Sequence, residues 1–234
     1  ATATVTDLNG YADLAAATST MYTTSATAGC SDNDNDCYIE TTATSCTFNS
    51  CAGNSCTLQC YADFYFLADP TFSDGGEFWQ AFIEVEDNQG AVAFNTSPAI
   101  DVFELTALDV SETIDYGALA VSSSTGSFNP TTTVQNLGNI AIDVNIVGAD
   151  LTDGGASTIP ADAQLFATSS FNYTSCVYCT PLSTTTISNY ELDLAKPTVV
   201  NPPVEDVIYW GIEIPFGVAS NPHSGINTFY AVSD

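Results

Sequence analysis

Asn139-Ile-Ala-Ile-Asp-Val-Asn-Ile-Val147 alternates with a period of two, placing Ile140, Ile142, Val144 and Ile146 on one face and Asp143 and Asn145 on the other. That period predicts a strand with one face in a core and one toward water. The preceding Thr131-Thr-Thr-Val-Gln-Asn-Leu-Gly-Asn139 reads as a strand and a polar turn. Phe78-Trp-Gln-Ala-Phe-Ile-Glu-Val-Glu86 repeats the pattern, with Trp79, Ala81, Ile83 and Val85 on one face. It turns at Asp87-Asn-Gln-Gly90 and returns over 91–94. Ile208, Trp210, Ile212 and Ile214 share a third face, closed by Pro215-Phe-Gly217.

Further strands are expected over 1–6, 15–24, 60–67, 102–110, 111–116, 163–168, 170–178, 189–195 and 226–232, and no stretch sustains a helical period. The sequence therefore reads as all-β: two Ig-like or jelly-roll-like β-sandwich domains stapled by disulfides. The first, Cys-rich domain is expected over 1–100 and the second over 101–234, with the boundary near Ser97-Pro98.

The 234 residues carry 28 Asp+Glu against one cationic side chain, Lys196, for a formal charge of −27. This excludes nucleic acid as a partner, since binding a polyanion needs a basic surface that releases counterions. Anionic membrane surfaces are disfavoured for the same reason, and no apolar run approaches the roughly 20 residues of a membrane helix. The sequence opens at Ala1 with no basic or apolar leader, as expected of a mature secreted chain.

The cysteines are Cys30, Cys37, Cys46, Cys51, Cys56, Cys60, Cys176 and Cys179. An even count, crowded into one stretch, predicts a disulfide framework made in an oxidising compartment, so the chain is expected outside the cell or on its surface. Short loop closure favours Cys30–Cys37, local pairs among Cys46, Cys51, Cys56 and Cys60, and Cys176–Cys179. Zinc fits poorly, because the spacing is not that of a ribbon and the only imidazole is His223.

The strand Ala1-Thr-Ala-Thr-Val-Thr6, the segment Ile114-Asp-Tyr-Gly117 and the strand and turn Thr133-Val-Gln-Asn-Leu-Gly-Asn139 resemble parts of secreted TasA-type biofilm fibre subunits and the related archaeal bundling pili. The resemblance implies a jelly-roll-like core, fibres joined by donor strands and no catalysis. The chain departs from that pattern in its single Lys and in the Cys-rich insert from Cys30 to Cys60.

Catalytic chemistry is poorly supplied. Without Arg there are few clamps for phosphate or carboxylate substrates, and a Ser/His/Asp triad would have to use His223, which is followed directly by Ser224. Glu84 and Glu86 are expected as exposed acids on one strand face rather than a glycosidase pair. No catalytic residue is assigned. Asp32, Asp34 and Asp36, with Glu40, could converge oxygens on Ca2+, although Cys37 and Ala43 break the EF-hand pattern, and a solvated acidic loop is the simpler reading. Asn95-Thr-Ser97 and Asn172-Tyr-Thr174 match the N-glycosylation acceptor pattern.

The resulting expectation is a non-enzymatic extracellular structural protein, a subunit of a surface filament that polymerises with itself by strand exchange. Ala1, Ala3 and Val5 form the inward face of the exchanged strand, and Ca2+ bridges acidic faces. The alternative is a monomeric cell-surface adhesion or carbohydrate-binding module for host or matrix glycans, with Phe72, Phe78, Tyr178 and Phe216 as its platform.

Overall fold

The three alternating runs become inner strands of antiparallel sheets. The computed structural model describes residues 1–72, 75–111 and 113–234. The chain divides into two compact units, Ala1–Leu105 and Thr106–Asp234.

In the first unit β1 (Thr2–Thr6), β2 (Leu14–Thr23), β3 (Cys37–Thr41), β4 (Cys46–Ala52), β5 (Ser55–Cys60), β6 (Trp79–Asp87) and β7 (Val92–Thr96) form two sheets, ordered β1-β5-β4 and β3-β2-β6-β7. Leu58, Cys46 and Cys60 of one sheet meet Met21, Trp79, Ala81, Ile83 and Val85 of the other in a shared core. Trp79 is buried and still satisfies its indole, donating from Nε1 to the Asp69 carbonyl at 2.9 Å. Three disulfides, Cys30–Cys37, Cys46–Cys60 and Cys51–Cys56, staple this unit. The last two are nested across the β4–β5 hairpin.

In the second unit β8 (Leu108–Val110), β9 (Thr131–Asn136), β10 (Ile142–Val147), β11 (Leu151–Thr152), β12 (Thr158–Ile159), β13 (Gln164–Ala167), β14 (Thr180–Pro181), β15 (Ile187–Leu194), β16 (Glu205–Ile212) and β17 (Thr228–Ser233) follow. They form sheets ordered β14-β13-β16-β9-β8 and β15-β10-β17, plus the β11–β12 hairpin. The core stacks Ile142, Val144 and Ile146 on Val134, Phe166, Ile208 and Trp210. Burying each large apolar side chain contributes roughly 1.5–3 kcal/mol, and the Phe166 and Trp210 rings lie 5.2 Å apart. The buried Asn136 ties the β9–β10 turn to the end of β15. Its Nδ2 donates to the carbonyls of Ile140, Leu194 and Ala195, and its Oδ1 accepts from Gly138 N.

Four local expectations are corrected. Asp143, expected to face water, is only 4% exposed. β15 bulges twice against β10, at residues with left-handed backbone, Asn189 (φ 48) and Asp193 (φ 49). Each bulge leaves amides out of the ladder. Asn145 Oδ1 accepts from Asn189 N, and Asp143 Oδ1 accepts from both Leu192 N and Asp193 N. Residues 61–67 are not strand. After Cys60 the chain leaves the sheet to cover the core, and Phe64 stacks on Tyr38 at 4.6 Å and packs edge-on to Trp79 at 4.8 Å. In the run 102–116 only β8 forms a strand among the described residues; Glu112 lies outside them, and 113–116 join no ladder. Residues 170–178 fold into a short 3-10 turn, Tyr173–Ser175, and the Cys176–Cys179 disulfide loop. Asn172 Oδ1 accepts from Thr174 N and so turns the chain.

Asp143→Ala strips both bulge amides of their acceptor. Leaving buried donors unpaired costs about 1–3 kcal/mol, so urea unfolding is expected to show a stability loss of that size, with a smaller loss for the less buried Asn145→Ala. Equal, negligible losses in both variants would refute the role given to the Asp143 carboxylate.

Candidate functional site

Two sheet edges carry the features that bear on function, one in each unit. In the first, β1 pairs only with β5, in a continuous antiparallel register from Thr2↔Gln59 to Thr6↔Ser55. Ala1 closes the ladder, exchanging main-chain hydrogen bonds with Cys60 at 2.7 and 2.9 Å. Of the expected strand-exchange residues, Ala3 and Val5 are half-buried against the core and Ala1 is exposed. The free side of β1 borders a groove of about 500 Å³ whose wall is Met21, Trp79, Ala81, Ile83, Ile100 and Val102.

In the second unit the segment 113–121 joins no ladder and turns at Gly117, whose backbone is left-handed (φ 70). Ile114 and Tyr116 pack into the core, and the Tyr116 hydroxyl donates to Gln164 Oε1 at 3.0 Å. Burial pushes the Tyr116 phenol well above its ordinary value. The main chain of this strap is nearly unengaged. Gly117 N donates to Asp115 Oδ1, but among the described residues no other main-chain N–H of 113–121 has a partner within the chain. Between the strap and Thr228 and Phe229 of the edge strand β17 lies a slot of about 660 Å³.

The other anticipated residues fall elsewhere. Asp32 Oδ1 accepts from Ile39 N, Asp36 Oδ1 from the Asn33 side chain, and Glu40 Oε2 from the hydroxyls of Thr44 and Ser45. No three of Asp32, Asp34, Asp36 and Glu40 bring their oxygens together. Among the described residues two other acidic groups do converge, Asp7 with Asp13 and Asp87, and Asp143 with Glu191 and Asp193. Sequence spacing could not find either, because each joins separate strands or turns. Phe72 and Phe78 lie in the first unit and Tyr178 and Phe216 in the second, and Phe216 is 92% exposed. Asn95 is exposed on β7 and Asn172 on the 3-10 turn.

His223 meets Ser157, not Ser224. Its Nε2 lies 3.0 Å from Ser157 Oγ and its Nδ1 2.7 Å from the Asn221 carbonyl. The nearby donors are engaged in the same loop: Ala219 N donates to Ser157 Oγ, while Gly155 N, Ser157 N and Asn221 Nδ2 donate to Asp153. Those bonds, Asn221 first, hold the Asp153 carboxyl below its ordinary range. These bonds join the 153–157 and 219–223 loops.

No protein-family model matches the chain, and neither a curated protein nor a solved structure matches it.

Glu191 is held above the ordinary carboxylate value of 4.5, first by Asp143 and next by desolvation, with Asp193 and Asp234 adding to the repulsion. A carboxyl raised in the folded state contributes stability below its ordinary value and loses it as pH rises through the raised one. Glu191→Gln is therefore expected to melt higher than the parent at neutral pH and to lose that advantage as the pH falls below 4.5. Superimposable melting at neutral pH would contradict the repulsion.

Proposed function

We propose that the chain is an extracellular structural subunit that joins copies of itself by strand pairing, with β1 as the strand that is handed on and the open edge of the second unit as its acceptor. The observation that carries this reading is the 113–121 strap: Ile114 and Tyr116 pack on the core, while among the described residues Gly117 alone of its main-chain N–H groups has a partner within the chain. Buried or edge main-chain groups are normally satisfied by a ladder, by side chains or by water, and an unpaired edge is a template for another strand. An added strand gains main-chain hydrogen bonds along its length and specificity from alternate side chains.

β1 suits the role of donor. It is uncharged, as a strand approaching a surface of net charge −27 should be, and its inward residues Ala3 and Val5 are small. Head-to-tail transfer of one strand builds a filament when its rotation does not close a ring. The four disulfides agree with a life outside the cell, where such an assembly has no reducing pool to meet.

Electron microscopy of the concentrated full chain is expected to show filaments with a regular axial repeat. Thr4 and Thr57 face each other across β1 and β5, so Thr4→Cys with Thr57→Cys locks β1 at home. The locked protein, with all thiols consumed, is expected to give single particles. Filaments from the locked protein would eliminate β1 as the donor. Compact particles from the parent at high concentration would eliminate assembly and favour the adhesion module.

A further inference from the structure

We propose that Asn172 is an N-glycan acceptor and that Asn95, which has the same sequence pattern, is not. The proposal is independent of the assembly reading. Both asparagines are exposed, so exposure does not separate them; the geometry of the residue two positions on does.

Around Asn172 the chain alternates inward and outward. Phe171 is 5% exposed and packs on Gly211, where an added Cβ would meet its ring at 2.9 Å. Phe171 N donates to Asn129 Oδ1. Tyr173 turns inward again, donating from its hydroxyl to the Ala163 carbonyl at 3.0 Å and from its main chain to the Gly126 carbonyl at 2.7 Å. These two anchors leave Asn172 and Thr174 together on the outer face. The Thr174 hydroxyl donates to Asn172 Oδ1 at 2.9 Å, and Asn172 Nδ2 has no partner among the described residues. The nucleophilic nitrogen and the hydroxyl that the acceptor pattern requires are thus side by side, outward and free of other bonds.

At the other position the hydroxyl is engaged on both sides. Ser97 Oγ accepts from Ala81 N at 2.9 Å and donates to the Pro98 carbonyl at 2.9 Å. This fixes the β6–β7 edge, and recruiting that hydroxyl to a transferase would break both bonds. Pro98 restricts the backbone of Ser97 further.

The surroundings of Asn172 also suit a sugar. Val177, 95% exposed, and Tyr178, 59% exposed, stand in the adjacent Cys176–Cys179 loop and offer apolar surface for a first saccharide to cover. The co-reactant is a polyprenyl-phosphate-linked glycan of the secreting cell. A bond forms between sugar C1 and Asn172 Nδ2, the bond from C1 to the phosphate oxygen breaks, the amide gives up one proton, and the polyprenyl phosphate leaves.

The full chain secreted from a glycosylating eukaryotic cell line tests this by peptide mass spectrometry before and after amidase release of N-glycans. The Asn172 peptide is expected to carry a glycan and, after release, to return with that asparagine converted to aspartate, while the Asn95 peptide stays unmodified throughout. Thr174→Ser is expected to keep the glycan, and Thr174→Ala and Asn172→Gln to lose it while still being secreted. An unmodified Asn172 peptide in the secreted parent, or a glycan on Asn95, would overturn the proposal.

Discussion

Several carboxylates that shape this chain are satisfied by main-chain amides. With 28 acids and one Lys there are too few cations for ion pairs, and the acids turn to the backbone instead. Asp87 caps Gln89 and Ala91, Asp150 holds Ala161, Asp153 holds Gly155 and Ser157, and Asp143 holds Leu192 and Asp193. A charge-assisted bond from an amide is shorter and stronger than a neutral one, and it needs no long side chain to be ordered. That is what makes a buried Asp143 tolerable. Its desolvation cost is offset by two donors that the bulge would otherwise strand. The bulge of β15 between Tyr190 and Leu194 is held by that one oxygen.

The same chemistry explains which parts of the fold are legible in the sequence. β6, β10 and β16 can be read from alternation alone, because their apolar faces meet a core on one side and the irregularities of pairing lie in their partner strands. The outward assignment of Asp143 fails because strand alternation describes a side chain relative to its own strand. The bulges lie in the partner, at Asn189 and Asp193, residues that tolerate left-handed backbone. Residues 170–178 carry aromatic and β-branched side chains at strand-like spacing, yet Asn172 competes for the backbone and the Cys176–Cys179 bridge closes too short a loop to stay extended. The aromatic run 61–67 has the composition of a strand, but its Phe64 ring packs on Tyr38 and Trp79 instead.

The site is less legible than the fold. The even cysteine count and short loops anticipate the first and last disulfides, and the crowding of the middle four cysteines anticipates local pairs without fixing their nesting. Nothing in the sequence points to Ser157 as the neighbour of His223, since the two are 66 residues apart and meet only through the β11–β12 hairpin and the 219–223 loop. The strap at 113–121 carries the same cues that make a strand. What distinguishes it is the absence of a neighbour, which depends on the rest of the sheet and not on the segment.

The two kinds of edge differ in how firmly they are held. The β4–β5 hairpin is cross-linked by Cys46–Cys60, which closes a separation of 14 residues, and again by Cys51–Cys56. A loop of that length is stabilised by on the order of 3 kcal/mol through the unfolded chain alone. β1 adds to the same hairpin with no covalent tie and with only Ala3 and Val5 half-buried, so each contributes well below the roughly 1.5–3 kcal/mol of a fully buried large side chain. Removing β1 therefore leaves β4 and β5 clamped in register, with the β5 edge still formed. A lightly held strand beside a rigid hairpin is the arrangement in which that strand can leave for another copy without unfolding the unit it leaves.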